Sequence, residues 1–165
     1  IQAARYMHTT FVDGQASAFL WWGLIYSLAP GNEQDENVQQ KHRDEGLVLV
    51  CAPADQVGEH QTFVERTKKF YVFSQYSKFI HPGYKRVDLD AVSGVYASAY
   101  VGEDDNRLIA VVINDSETSK DVSIQVDAGY EFVSAHQTDR SRNCEQIGNR
   151  ELLPPQSVRT FVFQK

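Results

Sequence analysis

The chain has 165 residues, 42% hydrophobic and 23% charged, which suits one ordinary folded domain and argues against disorder. Sixteen Lys+Arg against 22 Asp+Glu leave a formal net charge of −6, and this acidic balance argues against nucleic acid or an anionic membrane surface as the main partner. No run approaches the ~20 apolar residues of a membrane-spanning helix, and two cysteines are too few for a disulfide scaffold or a zinc site.

The opening IQAARYMHTT has neither a Met start nor a signal-peptide layout, so a processed or internal fragment is expected. Ile1–Val12 reads as a helix, with Ile1, Ala4, Tyr6, Met7 and Phe11 near helical spacing and a stop at Asp13-Gly14. Ala16–Ile25 follows, with AFLWWGLI at its heart, apolar at nearly every residue and without alternation. That pattern predicts a short strand buried on both faces, as in a parallel sheet. A buried helix is the competitor, but Gly14, Gly23 and Pro30 bound a short segment.

Leu28–Gly46 is the least hydrophobic stretch and predicts a surface loop. Gly46–Cys51 (GLVLVC) is a short predicted strand, able to pair with Thr62–Arg66 (TFVER) across a loop containing Pro53 and Gly58. Thr67–Ile80 is the clearest helix, with Thr67 as N-cap. Phe70, Phe73, Tyr76 or Ser77, and Ile80 make its apolar stripe, widened by Val72 and Phe79, and Pro82-Gly83 ends it.

From Tyr84 onward the grammar changes to strands and turns. YKRVDLD, GVYASAYVGE, RLIAVVIND, DVSIQV, YEFVSAH and SVRTFVFQ have strand composition. Turn signals at Asp104–Asn106, Asp115–Ser119, Asp127–Gly129 and Asp139–Asn143 separate them, which suits an antiparallel sandwich. The chain therefore divides near residue 83 into an α/β portion, 1–83, and an all-β portion, 84–165. A lone parallel strand needs neighbours on both sides, and its absence of them here also leads to the expectation of a fragment.

Three runs stand in order along the chain: Ser17-Ala18-Phe19-Leu20-Trp21-Trp22, then Ser77-Lys78-Phe79-Ile80-His81-Pro82-Gly83-Tyr84-Lys85-Arg86-Val87, then Leu153-Pro154-Pro155-Gln156-Ser157-Val158-Arg159-Thr160-Phe161. Together they resemble glycoside hydrolase family 30. The first looks like the family's eighth barrel strand, which typically ends in Trp. The second resembles the signature at the end of the helix after that strand, and the third the family's closing strand. The resemblance implies the end of a (β/α)8 barrel followed by an antiparallel β-sandwich side domain. Ile1–Val12 is then helix seven, Ser17–Trp22 strand eight and Thr67–Ile80 helix eight, with 84–165 as the side domain. Barrel strands one to seven would belong to an N-terminal polypeptide of the same enzyme.

Members of the family are retaining hydrolases with two glutamates, whose carboxyls must lie about 5–5.5 Å apart. The resemblance places both before Ile1, so no catalytic residue is expected in this chain. Glu33, Glu36 and Glu45 in the polar loop, and Glu103, Glu117 and Glu131 in strands or turns, read as solvated carboxylates.

Trp22 is the leading substrate-binding candidate. Active sites of such barrels form at the C-terminal ends of the strands, and an indole offers a flat apolar face to a sugar ring and an N–H to a hydroxyl. Strand alternation turns Trp21 and Trp22 opposite ways, and the resemblance assigns Trp22 inward and Trp21 outward. Tyr26 is the second candidate, as a cleft wall or as packing. Bacterial glucuronoxylanases of the family place there an Arg that holds the glucuronate carboxylate, and a Tyr where this chain has Leu28. The departure points away from bacterial-style glucuronate dependence and toward the fungal branch.

His42 and Arg43 in the loop read as solvated charges; His8, His60, His81 and His136 lack metal-site spacing, and no cofactor is implied. His81 and Arg86 read as structural, Arg86 as an ion-pair partner.

The leading reading is thus the C-terminal portion of a secreted, fungal-type glycosidase cleaving xylan. A same-family alternative is an endo-β-1,6-galactanase or β-1,6-glucanase. An alternative of another class is a non-catalytic carbohydrate-binding sandwich presenting Tyr96, Tyr100 and Tyr130, in which AFLWWGLI would be an unburied apolar patch. The expected partners are the N-terminal polypeptide and a polysaccharide, with neither nucleic acid nor membrane. In an extracellular setting Asn114-Asp115-Ser116 is an N-glycosylation acceptor, and a Cys51–Cys144 disulfide is allowed, as is bonding of either cysteine elsewhere.

Overall fold

A computed structural model of the chain describes residues 1–28, 36–37, 45–51, 63–90, 93–104, 106–126, 129–148 and 152–165. In chain order the elements are α1 (Gln2–Val12), β1 (Gly23–Leu28), β2 (Gly46–Cys51), β3 (Phe63–Arg66), α2 (Lys68–Ser77), β4 (Lys85–Val87), β5 (Tyr96–Gly102), β6 (Arg107–Asn114), β7 (Glu131–Thr138), β8 (Asn143–Ile147) and β9 (Ser157–Gln164). They form two compact units, Leu20–Tyr71 and Ile1–Phe19 with Val72–Lys165, so the cuts fall before Leu20 and inside α2, not at residue 83.

In the Leu20–Tyr71 unit the sheet order is β1-β2-β3. β1 runs parallel to β2 from Gly23↔Gly46 to Leu28↔Cys51. β3 returns antiparallel, from Val48↔Arg66 to Cys51↔Phe63, which is the pairing expected for GLVLVC and TFVER. Leu47 and Leu49 are buried in this unit. The expected strand over Ser17–Trp22 is not formed; the strand begins at Gly23. An unbroken apolar run has no period that marks its ends. The partner strand sets the start instead, because the ladder opens where Gly23 meets Gly46.

Thr67 precedes α2 as expected, but its hydroxyl lies 3.1 and 2.9 Å from the carbonyl oxygens of Gly46 and Leu47. Its N–H donates to the same Leu47 carbonyl at 2.9 Å. The residue therefore fastens the helix start to β2 instead of accepting from the helix's own N–H groups, as an N-cap side chain does.

The other unit is built on a six-stranded antiparallel sheet, ordered β4-β5-β6-β9-β7-β8. Period-two alternation in its central strands feeds two cores. Ile109, Val111 and Ile113 of β6 with Val158 and Val162 of β9 meet Ala3, Ala4 and Met7 of α1 and Val72, Tyr76 and Phe79 from α2 and its end. On the alternate positions Ala110, Val112, Phe161 and Phe163 pack with Val122, Ala135 and Leu153.

Two sequence expectations fail in this unit. DVSIQV, residues 121–126, is not a strand: the single bridge nearby is Lys120↔Leu153. Its alternation is nevertheless real, since Val122 is buried and Ile124 and Val126 pack against the same core. Asn143–Ile147, where only a turn end was expected, is strand β8. The Asp139 carboxylate organises the turn before it, accepting from Ser141 N at 2.7 Å and Arg142 N at 2.8 Å.

Among the described residues no helix is long and apolar enough to cross a membrane.

Candidate functional site

Trp21, Trp22, Tyr26 and Glu45 line one hollow of about 360 Å³ in the Leu20–Tyr71 unit. Each wall is held differently. The Trp21 Nε1–H donates to the Glu45 carbonyl at 2.7 Å, just ahead of the Gly23↔Gly46 pair. The Lys69 ammonium sits 5.2 Å from the centre of the Trp21 ring, a cation–π contact on its face. Trp22 is 95% exposed, so its indole face stands open. Tyr26 is half-buried, and its ring reaches back along the strand over Gly23.

The structure therefore brings together the two residues singled out from sequence, Trp22 and Tyr26, and adds Trp21 and Glu45. Assigning the tryptophans to opposite faces assumed that both lie on a strand. They precede it, so alternation does not separate them and both line the hollow.

Three aromatic rings around a small hollow suit a pyranose, which offers apolar C–H faces for stacking and hydroxyls to the indole and phenol groups. The volume lies at the lower end of the range for small-ligand sites. The hollow carries one carboxylate, that of Glu45, whereas retaining glycoside hydrolysis needs two. These residues offer apolar ring faces and hydrogen-bonding groups.

A larger cavity of about 700 Å³ lies in the other unit, with Phe11, Phe19, Phe73, Tyr84 and Arg86 among its lining. Its lining includes no carboxylate residue and neither Trp22 nor Tyr26. The Tyr76 and Tyr100 phenols beside it are raised above their ordinary pKa by burial, so they remain protonated. The aromatic hollow is the candidate site, because it gathers Trp22 and Tyr26. Among the described residues no three His, Cys, Asp or Glu side chains come together as metal ligands.

The remaining candidates fall as follows. Asn114 is fully buried, and its Nδ2 donates to the carbonyls of Thr118 at 2.8 Å, Leu153 at 3.2 Å and Pro154 at 2.8 Å. The folded chain thus has no room for a glycan on that amide, which corrects the acceptor reading. Cys144 carries a half-buried thiol that is free among the described residues, one of the alternatives the sequence left open for its cysteines. The Cys51 side chain, His42, His60 and Arg43 lie outside the described residues.

Arg86 lies 3.9 Å from the Asp88 carboxylate, a long ion pair. Of the three tyrosines proposed for a binding module, Tyr100 is buried, Tyr96 lies under Arg5 and Tyr130 under Lys165. They do not form an open aromatic face.

No protein-family model matches the chain. In an alignment of 176 positions that takes in all of this chain, it is 27% identical to glucuronoxylanase XynC of Bacillus subtilis (strain 168), of which it covers 34%. Among solved structures it is similar to the glycoside hydrolase family 30 subfamily 8 xylanase Xyn30A from Clostridium acetobutylicum. The TM-score is 0.67 and the identity 26%, over 99% of this chain and 38% of that one. A conserved exported protein from Bacteroides fragilis shares the fold, with a TM-score of 0.73 at 21% identity, over 96% of this chain and 32% of that one.

The chain thus spans about a third of the length of these relatives. Sequence and structure comparisons both support the resemblance to glycoside hydrolase family 30. The fold class is the end of a (β/α)8 barrel followed by an antiparallel β-sandwich side domain. These relatives are bacterial, and nothing in them supports the expected fungal origin.

Proposed function

We propose that this chain is the C-terminal portion of a secreted, retaining family 30 glycoside hydrolase that cleaves xylan, with Trp22 and Tyr26 as walls of one sugar subsite. The observation that carries this reading is the aromatic hollow itself, in a chain that along its whole length is similar to a glucuronoxylanase. The two catalytic glutamates stand on an N-terminal polypeptide that completes the barrel. One protonates the leaving oxygen, while the other attacks the anomeric carbon and is then released by water. The exposure of Leu20, Leu24, Ile25 and Val64 supports a covering partner of this kind.

Tyr26 presents a phenol where a glucuronate-dependent enzyme needs a guanidinium fork, so the reading includes cleavage of undecorated xylan. The names of the relatives favour xylan over β-1,6-galactan or β-1,6-glucan. The buried Tyr100 disfavours a stand-alone binding module.

The test is to produce the chain together with the polypeptide carrying the rest of the barrel, and to supply glucuronoxylan, undecorated xylan, β-1,6-galactan and β-1,6-glucan separately. Xylo-oligosaccharides are expected from both xylans, only when both polypeptides are present, with the β-anomer appearing first by NMR. Trp22→Ala is expected to lower kcat/KM about tenfold, the scale of one lost aromatic stacking contact. A soluble monomer that binds polysaccharide without any partner, or an assembly inert on both xylans, would overturn the proposal.

A further inference from the structure

Gly23 is the first residue of β1 and is buried. Its backbone is not in the left-handed region, where Gly83, Gly94 and Gly129 lie, so conformation does not require glycine here. Space does. A Cβ built on Gly23 would lie 2.0 Å from Tyr26 Cε2, 2.9 Å from Cζ and 3.0 Å from Cδ2. Carbon atoms settle at about 3.5–4.0 Å, so a methyl group and this ring cannot coexist as placed.

The backbone has little freedom to relieve the collision. Gly23 is paired with Gly46 and Tyr26 with Leu49 in the same parallel ladder. The soft coordinate is the Tyr26 side chain, whose next staggered χ1 well is about 120° away. Such a rotation lifts the ring off Gly23 and changes the wall it gives to the hollow.

We infer that Gly23 is a positioning residue for Tyr26: its missing side chain selects the rotamer that lays the phenol ring along the hollow beside Trp22. This rests on the proposed reading of the hollow as a sugar subsite. A preset ring costs the ligand no ordering on binding, whereas a ring released by a side chain at position 23 does. Gly23 touches no substrate; its effect on binding passes through Tyr26.

The test uses the assembled two-polypeptide enzyme with Gly23→Ala, Tyr26→Ala and the double variant, and reads KM and kcat on xylo-oligosaccharides. Gly23→Ala is expected to raise KM about fivefold to tenfold, the effect of one side chain that must be reordered, with kcat nearly unchanged. The double variant is expected to match Tyr26→Ala, because without the ring nothing remains to displace.

A second readout does not need activity. With ¹³C-glycine labelling of this chain, the Gly23 α-protons should be shifted upfield by the ring current of Tyr26 and return toward ordinary positions in Tyr26→Ala. If the parent enzyme leaves xylan intact, the proposed function fails, and the α-proton shift still decides the packing. An unchanged KM in Gly23→Ala, additive effects in the double variant, or α-protons indifferent to Tyr26→Ala would overturn the positioning role. Should Gly23→Ala fail to fold, recovery of folding in the double variant supports the collision, and continued failure refutes it.

Discussion

β6 and β1 are both rich in apolar residues and meet opposite fates. In β6 the six residues from Ile109 to Asn114 are all buried. In β1, Leu24 and Ile25 remain 60% and 61% exposed although they point to opposite faces. The difference lies in their neighbours. β6 is flanked by β5 and β9 and has a core on each face, whereas among the described residues β1 is paired with β2 alone. A strand apolar on both faces is stable where both faces and both edges are covered, and is a docking edge where they are not.

The largest contrast should come from truncating the two strands. Ile109→Ala is expected to cost about 2–5 kcal/mol in a urea titration of the chain, because it leaves a cavity in a closed core. Leu24→Ala should stay within about 0.5 kcal/mol, since it removes surface that water already reaches. Equal costs would mean that β1 is covered in solution.

Next in size is Asn114→Ala at the end of β6. It removes the bonds that the amide donates to the Leu153 and Pro154 carbonyls, which keep the Lys120 N–H and the Ser157 hydroxyl as donors, and should cost about 1–3 kcal/mol by the same titration. Peptide mass mapping of chain secreted from a glycosylating host should find Asn114 unmodified.

A smaller effect is pH-dependent. Burial holds His8 and His136, both in the β-sheet unit, below the ordinary imidazole pKa. Both therefore favour the neutral form when folded, and as pH falls through about 6.5 the unfolded chain takes up protons first. Their stabilising contribution is complete above that pH and is lost as pH falls toward their lower folded values. His8→Gln should flatten the loss measured by urea titrations between pH 7 and 5.

The smallest effect concerns Cys144, whose thiol pKa is raised by burial. Alkylation at neutral pH should be slower in the folded chain than in urea, as read by mass spectrometry.

Much of the fold is legible in the residues. Helix α1, helix α2, and strands β5, β6 and β9 lie where periodicity puts them, because helix and strand periods of burial are local properties. β8 was not legible: its sequence NCEQI has little apolar alternation, and it sits at a sheet edge where little is buried. Residues 121–126 show the converse, an alternation of burial without a ladder, since side-chain spacing reports packing and not backbone pairing. Gln75, a polar residue inside α2, is fully buried because its Nε2 donates to Thr138 Oγ1 at 2.7 Å and Thr160 Oγ1 lies 2.7 Å from its Oε1. Partners so distant in sequence leave no local trace.

The candidate site divides in the same way. Trp22 and Tyr26 were identifiable by residue type and by their place in a resembling run. The inclusion of Trp21 was not, because it depends on where the strand begins.

By itself, then, the sequence determined the helices, the central strands and the presence of a compact aromatic cluster, all consequences of side-chain character at short range. Only the tertiary structure decided that β1 opens at Gly23, that three aromatic rings share one hollow and that Asn114 faces inward. Those outcomes depend on which backbone groups find partners far along the chain: Gly23 with Gly46, and the Asn114 amide with Leu153 and Pro154.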